Sequence, residues 1–315
     1  MPDDGQPSLR TARRGDLPLL HGIAAEALRY DADAADVLDL LWQGTADRPD
    51  LRIVAEVDGR VAGFALGSLG PGPAPAPDGT APPRVGHTNL LAVAADHRGR
   101  GHGRALLAGI EERLTAAGAG RLVIRGSAPH YAWPGIDIRY TPAVCLAESA
   151  GYERTADAFN MSTDLGAADL ETGADERRLA AAGVRVRRLE AGDEPRFSAW
   201  MRSWGGTWQA EAATALTYDP PRCHVAVQGE GPEEEFVGFA CHGVNRRTWF
   251  GPMGTAESQR GRGVGAVLLR RCLRDQRDAG LTGAEIGWTG PVGFYARTVG
   301  SRLDRVFRTY AKEPA

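Results

Sequence analysis

The sequence predicts an α/β protein made of two tandem copies of one domain. A glycine- and arginine-rich stretch, "HRGRGHGRALL" at His97–Leu107, returns as "QRGRGVGAVLL" at Gln259–Leu269. Placing Arg98 on Arg260 aligns 32 residues without a gap, from Arg98 through Pro129 and from Arg260 through Pro291. The same order of strand-like and helix-like runs surrounds both stretches, and 315 residues is the length of about two ordinary domains.

In the first copy "LRTARRGDLPLLHGIAAEAL" reads as a short strand and then a helix capped by Asp16. "LRIVAEVDGRVAGFALGSL" is a hairpin about the Asp58-Gly59 turn. "HTNLLAVA" is the next strand, followed by the glycine loop and a helix from Arg104 to about Ala117. "RLVIRG" is a strand, Pro142 to Ala150 a helix stopped by Gly151, and "AFNMSTDL" the last strand. The second copy runs "VRVRRLE", helices, "HVAVQGE…EFVGFACHGV", "RTWFGPMGT", glycine loop, helix, "GAEIGWTG", helix and "VFRTYAK". These readings give a first domain at 1–165, a joining segment at 166–183 that is either a helix or a flexible linker, and a second domain at 184–315.

Two stretches have no counterpart in the second copy. "GPGPAPAPDGTAPP" is proline-rich and reads as an exposed hairpin loop. "PHYAWPGIDIRYTP", between Pro129 and Pro142, carries Tyr131, Trp133 and Tyr140. It either packs on its own domain or borders a substrate cleft.

Composition excludes several classes. Apolar content of 43% and charged content of 24% are those of a soluble globular chain, and a formal charge of −3 argues against a general nucleic-acid binder. The four cysteines are scattered, with no Cys-x-x-Cys, which disfavours a zinc site or disulfide framework and fits a reducing cytoplasm. The N-terminus has no apolar run of a signal peptide, and no stretch is long enough to span a membrane. The expectations are therefore a cytoplasmic protein with no metal, membrane or nucleic-acid partner; oligomeric state is not encoded legibly.

The alternating glycines let a backbone come close to a ligand, and the helix that follows presents unpaired N–H groups, a combination that attracts anions such as phosphate. It is not a P-loop, since His102-Gly103-Arg104 supplies no Lys-Ser or Lys-Thr. A strand, then Arg/Gln-x-x-Gly-x-Gly/Ala, then a helix, in this element order and twice over, resembles the GNAT superfamily of acetyl-CoA-dependent N-acetyltransferases. The resemblance implies two GNAT-like domains, each with a mixed, mostly antiparallel sheet flanked by helices. It implies that Arg98, Gly99, Arg100, Gly101, His102 and Gly103, and likewise Arg260, Gly261, Arg262, Gly263, Val264 and Gly265, hold the pyrophosphate of coenzyme A. Strand residues Leu91 and Val93, and Met253 and Thr255, would meet its pantetheine arm.

In this family a tyrosine in the last helix commonly lies near the thioester sulfur and can protonate the departing thiolate. "GFYARTVG" supplies Tyr295 in the second copy, whereas Leu146 or Ala147 takes that place in the first, so the resemblance points to the C-terminal domain as catalytic. The first would be structural, or an acetyl-CoA-binding relic. Tyr295 is also open to a packing role. An ammonium must lose a proton before it attacks, which calls for a base; Glu285 and His242 are the candidates, each also open to a structural role, and "RTWFGPMGT" has no glutamate. His87 becomes relevant only if the first copy is active. Trp204, Trp208 and Trp288 are candidates for an aromatic wall that suits a sugar ring or apolar amine, the alternative being core. The acceptor is then a small-molecule primary amine, with an amino sugar first, as in the glucosaminide N-acetyltransferases among double-domain members, and an antibiotic-type or peptide amine as alternatives. Two other classes stay open: an acetyl-CoA-binding sensor without turnover, and a binding module using the arginines of Arg270–Gly280 and Arg302–Arg308.

Overall fold

The computed structural model describes residues 6–70, 83–205, 207–231 and 234–314. Most of the proline-rich stretch, and Gly206 in the expected helix break, lie outside them. The strands and helices come in chain order as β1 (Ser8–Thr11), α1 (Leu17–Ala27), α2 (Ala34–Gln43), β2 (Arg52–Val57), β3 (Arg60–Leu69), β4 (Arg84–Val93), α3 (His102–Ala116), β5 (Ala119–Ile124), β6 (Ile136–Asp137), α4 (Thr141–Ser149) and β7 (Glu153–Asp164). Then follow α5 (Gly173–Ala181), β8 (Val184–Arg188), α6 (Glu194–Met201), α7 (Trp208–Leu216), β9 (Cys223–Gln228), β10 (Glu235–His242), β11 (Trp249–Thr255), α8 (Val264–Asp278), β12 (Gly283–Ile286), α9 (Val292–Val299) and β13 (Arg302–Lys312).

Local chemistry sets the ends of these elements. Asp58 and Gly59 both take positive φ, 51° and 74°, the geometry that a two-residue hairpin with right-handed strand twist demands. Asp16 does stand at the N-cap of α1, but its carboxylate turns back to accept the Arg13 N–H at 2.7 Å and to pair with Arg10 at 2.8 Å. Both glycine loops enter their helices through left-handed residues, Gly101 at φ 87° and Gly263 at φ 88°. Half of the expected joining segment is the helix α5.

The first compact unit comprises the described residues up to Ala158 together with those from Val306 onward. Its sheet runs β1-β2-β3-β4-β5-β13, antiparallel except for the β4–β5 pair, with β6 alongside β13. One face buries Leu20, Leu38, Phe64, Leu66 and Phe307 under α1 and α2. The other buries Ile53, Leu106, Ile110 and Tyr310 under α3 and α4, α3 offering apolar residues at helical spacing. The second unit, Phe159–Arg305, repeats the plan as β8-β9-β10-β11-β12-β7, with the β11–β12 pair parallel.

The linear division at 165 and 184 is therefore corrected. The far half of β7 pairs with β12 in the second unit (Ser162 opposite Glu285), and the far half of β13 pairs with β5 in the first (Tyr310 opposite Ile124). Each copy gives its last strand to the other copy's sheet. Alternation of apolar side chains marks a strand but carries no information on which neighbour completes its ladder.

Candidate functional site

In the first unit β4 pairs with β5 only from Arg84 to Thr88, the last partner being Ile124. Beyond Thr88 the two strands part, so the β5-facing edge of β4 from Asn89 to Val93 is left open at the mouth of the fork. At the same point β4 carries a bulge against β3: Leu66 is opposite Leu90 and Gly67 opposite Thr88, leaving Asn89 as the extra residue. Bulges commonly sit beside active sites because they re-aim side chains.

A cavity of about 890 Å³ opens at this fork. Leu91 and Val93 line it along the strand; Arg98, Gly99, Gly101 and Gly103 line it at the loop; Leu146 and Cys145 line it from α4. Arg100 and His102 are not among its lining residues, and His102 is buried with its ring 5.8 Å from that of His97. The open space over Gly99 and Gly101, where an added Cβ would meet nothing within 4 Å, fits a diphosphate approaching backbone N–H groups. Arg98 is fixed by its Nε, which donates to Val93 O at 2.8 Å, and lies 3.6 Å from Glu26. The residues present thus fit a coenzyme A-like donor.

The stretch special to the first copy borders this cavity through Trp133, Ile136, Asp137 and Tyr140. Buried Asp31 holds the two aromatic rings in place, accepting from Trp133 Nε1 at 3.1 Å and from Tyr140 Oη at 2.9 Å. The sequence marks this stretch as a possible cleft border and marks no role for Asp31, Asn89 or Cys145. Its one available signal was that the insertion is aromatic. His87, buried and with its imidazole pushed down to about 4 by desolvation, does not line the cavity.

The second unit keeps the loop conformation, with Gly261 at φ 74° and Gly263 at φ 88°, but its surroundings differ. Arg178 of α5 donates from Nη1 to Arg262 O at 2.8 Å, and a Cβ on Gly263 would lie 2.6 Å from its Nη2. Arg260 is exposed, Val264 is buried in the core, and a Cβ added at Gly265 would meet the Met253, Phe294 and Thr255 side chains at 3.3 to 3.5 Å. At the bulge, the alignment puts Gly251 where the first copy has Asn89 and Pro252 where it has Leu90, so Gly251 offers no side-chain acceptor and Pro252 no backbone N–H.

Tyr295 is 6% exposed, with its ring 5.0 Å from Phe294 and 6.1 Å from Phe250; burial pushes its hydroxyl up to about 12. Glu285 and His242, sought as bases, are both engaged. Asn160 Nδ2 donates to Glu285 Oε1 at 2.5 Å, with Arg305 at 3.7 Å from the same oxygen. His242 is buried and shares the Asp275 carboxylate with His224, at 3.2 and 2.7 Å, beside Arg188 at 2.8 Å. Trp204 and Trp208 meet Phe239 edge-to-face, with ring centroids 5.5 and 5.9 Å apart, and Trp204 fills the space above Gly254. They belong to this unit's packing, with Trp208 at its edge; Trp288 lies apart from them in sequence, 40% exposed, its backbone N–H donating to Asn160 Oδ1. Among the described residues no His/Cys/Asp/Glu group is arranged to hold a metal, and no helix is long and apolar enough to cross a membrane.

Comparison with known proteins places these features in a family. Over 114 residues the chain is 34% identical to the L-2,4-diaminobutyric acid acetyltransferase of Nocardia farcinica; that stretch is 36% of this chain and spans about half (53%) of that relative. The glucosamine N-acetyltransferase region of a fungal multi-domain GH3 β-N-acetylglucosaminidase superposes on 97% of the chain with TM-score 0.77 at 17% identity, covering 38% of that larger protein. A GCN5-related N-acetyltransferase from Sphaerobacter thermophilus matches 99% of the chain and 96% of its own length with TM-score 0.67 at 21% identity. A tandem GNAT protein from the clavulanic acid biosynthesis pathway matches 98% of both chains at 0.64 and 16%. The model of the acetyltransferase (GNAT) family fits residues 17–131 and again 188–300, most of each copy. The chain, with its doubled fold and its glycine nest after a forked strand, belongs to the GNAT acetyltransferase family.

Proposed function

We propose that the protein transfers the acetyl group of acetyl-CoA to a primary amine of a small polar molecule, and that the first unit's cavity is the seat of this transfer. The observation that carries the reading is the fork between β4 and β5 opening into the cavity beside the uncovered Gly99–Gly103 nest. Acetyl-CoA supplies an acetyl thioester. Leu91 and Val93 would hold its arm along the open strand edge, and the loop N–H groups would hold its diphosphate. Formation of the N–C bond breaks C–S; the ammonium proton leaves to water and the thiolate takes up a proton.

An amino sugar is the acceptor we put first, because Trp133 and Tyr140 give the cavity an aromatic side of the kind that covers a sugar ring. The names of the relatives, a diaminobutyric acid acetyltransferase and a glucosamine N-acetyltransferase region, support a small polar amine in general. A second reading puts the chemistry in the second unit, and the observation in its favour is Tyr295, protonated at neutral pH and placed on α9.

The test is thiol release from acetyl-CoA with glucosamine, chitooligosaccharides, L-2,4-diaminobutyrate, an aminoglycoside and a peptide. Turnover of glucosamine above the peptide is expected; no turnover of any amine would leave an acyl-CoA-binding sensor. Tyr295→Phe should retain turnover within about twofold, since the hydroxyl it removes belongs to the unit that does not carry the cavity. A fall on the order of 100-fold, the typical contribution of a positioned acid, would move the chemistry to the second unit.

A further inference from the structure

Resting on the reading above, we propose that Asn89 is the residue that takes hold of the acceptor amine, its side-chain amide accepting an N–H and aiming the nitrogen lone pair at the thioester. Asn89 is the extra residue of the β4 bulge and the first residue past the fork. It lines the cavity yet is only 7% exposed. Its Nδ2 donates to Ser68 Oγ at 2.9 Å, which fixes the amide plane, while Oδ1 is buried with no hydrogen-bond partner.

A buried amide oxygen without a donor is uncommon in a native protein, and one beside a ligand cavity is explained by a donor that arrives with the ligand. An amine is such a donor. It can give one N–H to Oδ1 and keep its lone pair free, and hydrogen-bonded sites of this kind discriminate strongly against molecules lacking the group. Asn89 also stands two residues before Leu91 on the strand, so a nitrogen held there is next to the arm of the donor rather than at the mouth of the cavity. The second copy serves as an internal contrast: Gly251 at the aligned position has no side chain to offer. Asn89 makes and breaks no covalent bond in this role.

The test compares wild type, Asn89→Ala, Asn89→Gln and Gly101→Asp, using glucosamine and L-2,4-diaminobutyrate as acceptors at saturating acetyl-CoA, with coenzyme A affinity read separately by calorimetry. Asn89→Ala should lower kcat/KM for the amine by 10- to 100-fold while coenzyme A affinity and Tm stay at wild-type values, and Asn89→Gln should recover part of the loss. If Gly101→Asp abolishes turnover and Asn89→Ala leaves it within twofold, the role of Asn89 is refuted and the cavity stands. Equal losses of coenzyme A affinity and amine turnover in Asn89→Ala would make it a structural residue and also refute the role. If Gly101→Asp turns over both amines normally, or wild type turns over neither, the underlying reading fails and takes this one with it.

Discussion

Gly101→Asp should lower acetyl-CoA-dependent turnover on the order of 100-fold, and Gly263→Asp should change it by less than about threefold. Gly101 has φ 87°, which strains any residue with a side chain, though aspartate less than most, and an added Cβ there meets nothing within 4 Å. What changes is charge. A carboxylate in a nest of N–H groups occupies the place of a phosphate and repels it, and like charges in contact cost several kcal/mol. At Gly263 the new carboxylate would meet Arg178 Nη2, which already lies beside that position. The measurement is thiol release over a range of acetyl-CoA concentrations, with each variant's Tm as control. The reverse pattern, with Gly263→Asp inactive, would transfer the reaction to the second unit.

Asp275→Ala should destabilise the second unit by about 3 kcal/mol, the scale on which removing one member of a buried ionic cluster acts. For a unit of this size that is a fall in Tm of about 10 °C. Asp275 on α8 accepts from His224 Nε2 at 2.7 Å and His242 Nε2 at 3.2 Å and pairs with Arg188 at 2.8 Å, so its loss strands three partners. The pH dependence of the wild type follows from the same cluster. Despite its burial, hydrogen bonds from the two histidines and Arg188 hold the Asp275 carboxyl well below the usual carboxylate range; its stabilisation is complete above about pH 4, the value in an unfolded chain, and is lost as pH falls further. Burial lowers the His224 pKa against the pull of Asp275, so the histidine's contribution is present above about pH 6.5 and fades on acidification. Denaturant titrations should therefore find the second unit less stable at pH 5 than at pH 7. A flat profile over that interval, or an Asp275→Ala midpoint equal to wild type, would contradict the assignment.

Much of the architecture was legible because it depends on near-neighbour rules. The glycine spacing gave both nests, Asp58-Gly59 gave the hairpin, and the Arg98-on-Arg260 alignment gave the doubled plan. Side-chain roles were legible only where one position has one meaning. Glu285 and His242 lie on the strands where a base was sought, but strand alternation does not say that Asn160 will clasp the first or that Asp275 will bind the second. The tryptophan spacing suggests a wall, whereas Trp204 packs edge-to-face on Phe239. An aromatic side to a cavity does exist, in the Trp133–Tyr140 stretch of the other copy, held by Asp31 from about 100 residues away. The bulge at Asn89 depends on register against β3, which no local pattern in β4 reveals.

The placing of Phe307, Tyr310 and Lys312 with the first unit has a consequence for biosynthesis. Lys312 Nζ donates to Glu111 Oε2 at 2.7 Å and Tyr310 is wholly buried, so the sheet that builds the cavity's fork acquires its β13 edge from a segment whose Lys312 is translated 201 positions after Glu111. A ribosome-bound chain must carry that first half with its β5 edge waiting, and a gene split midway would yield two products each lacking a strand.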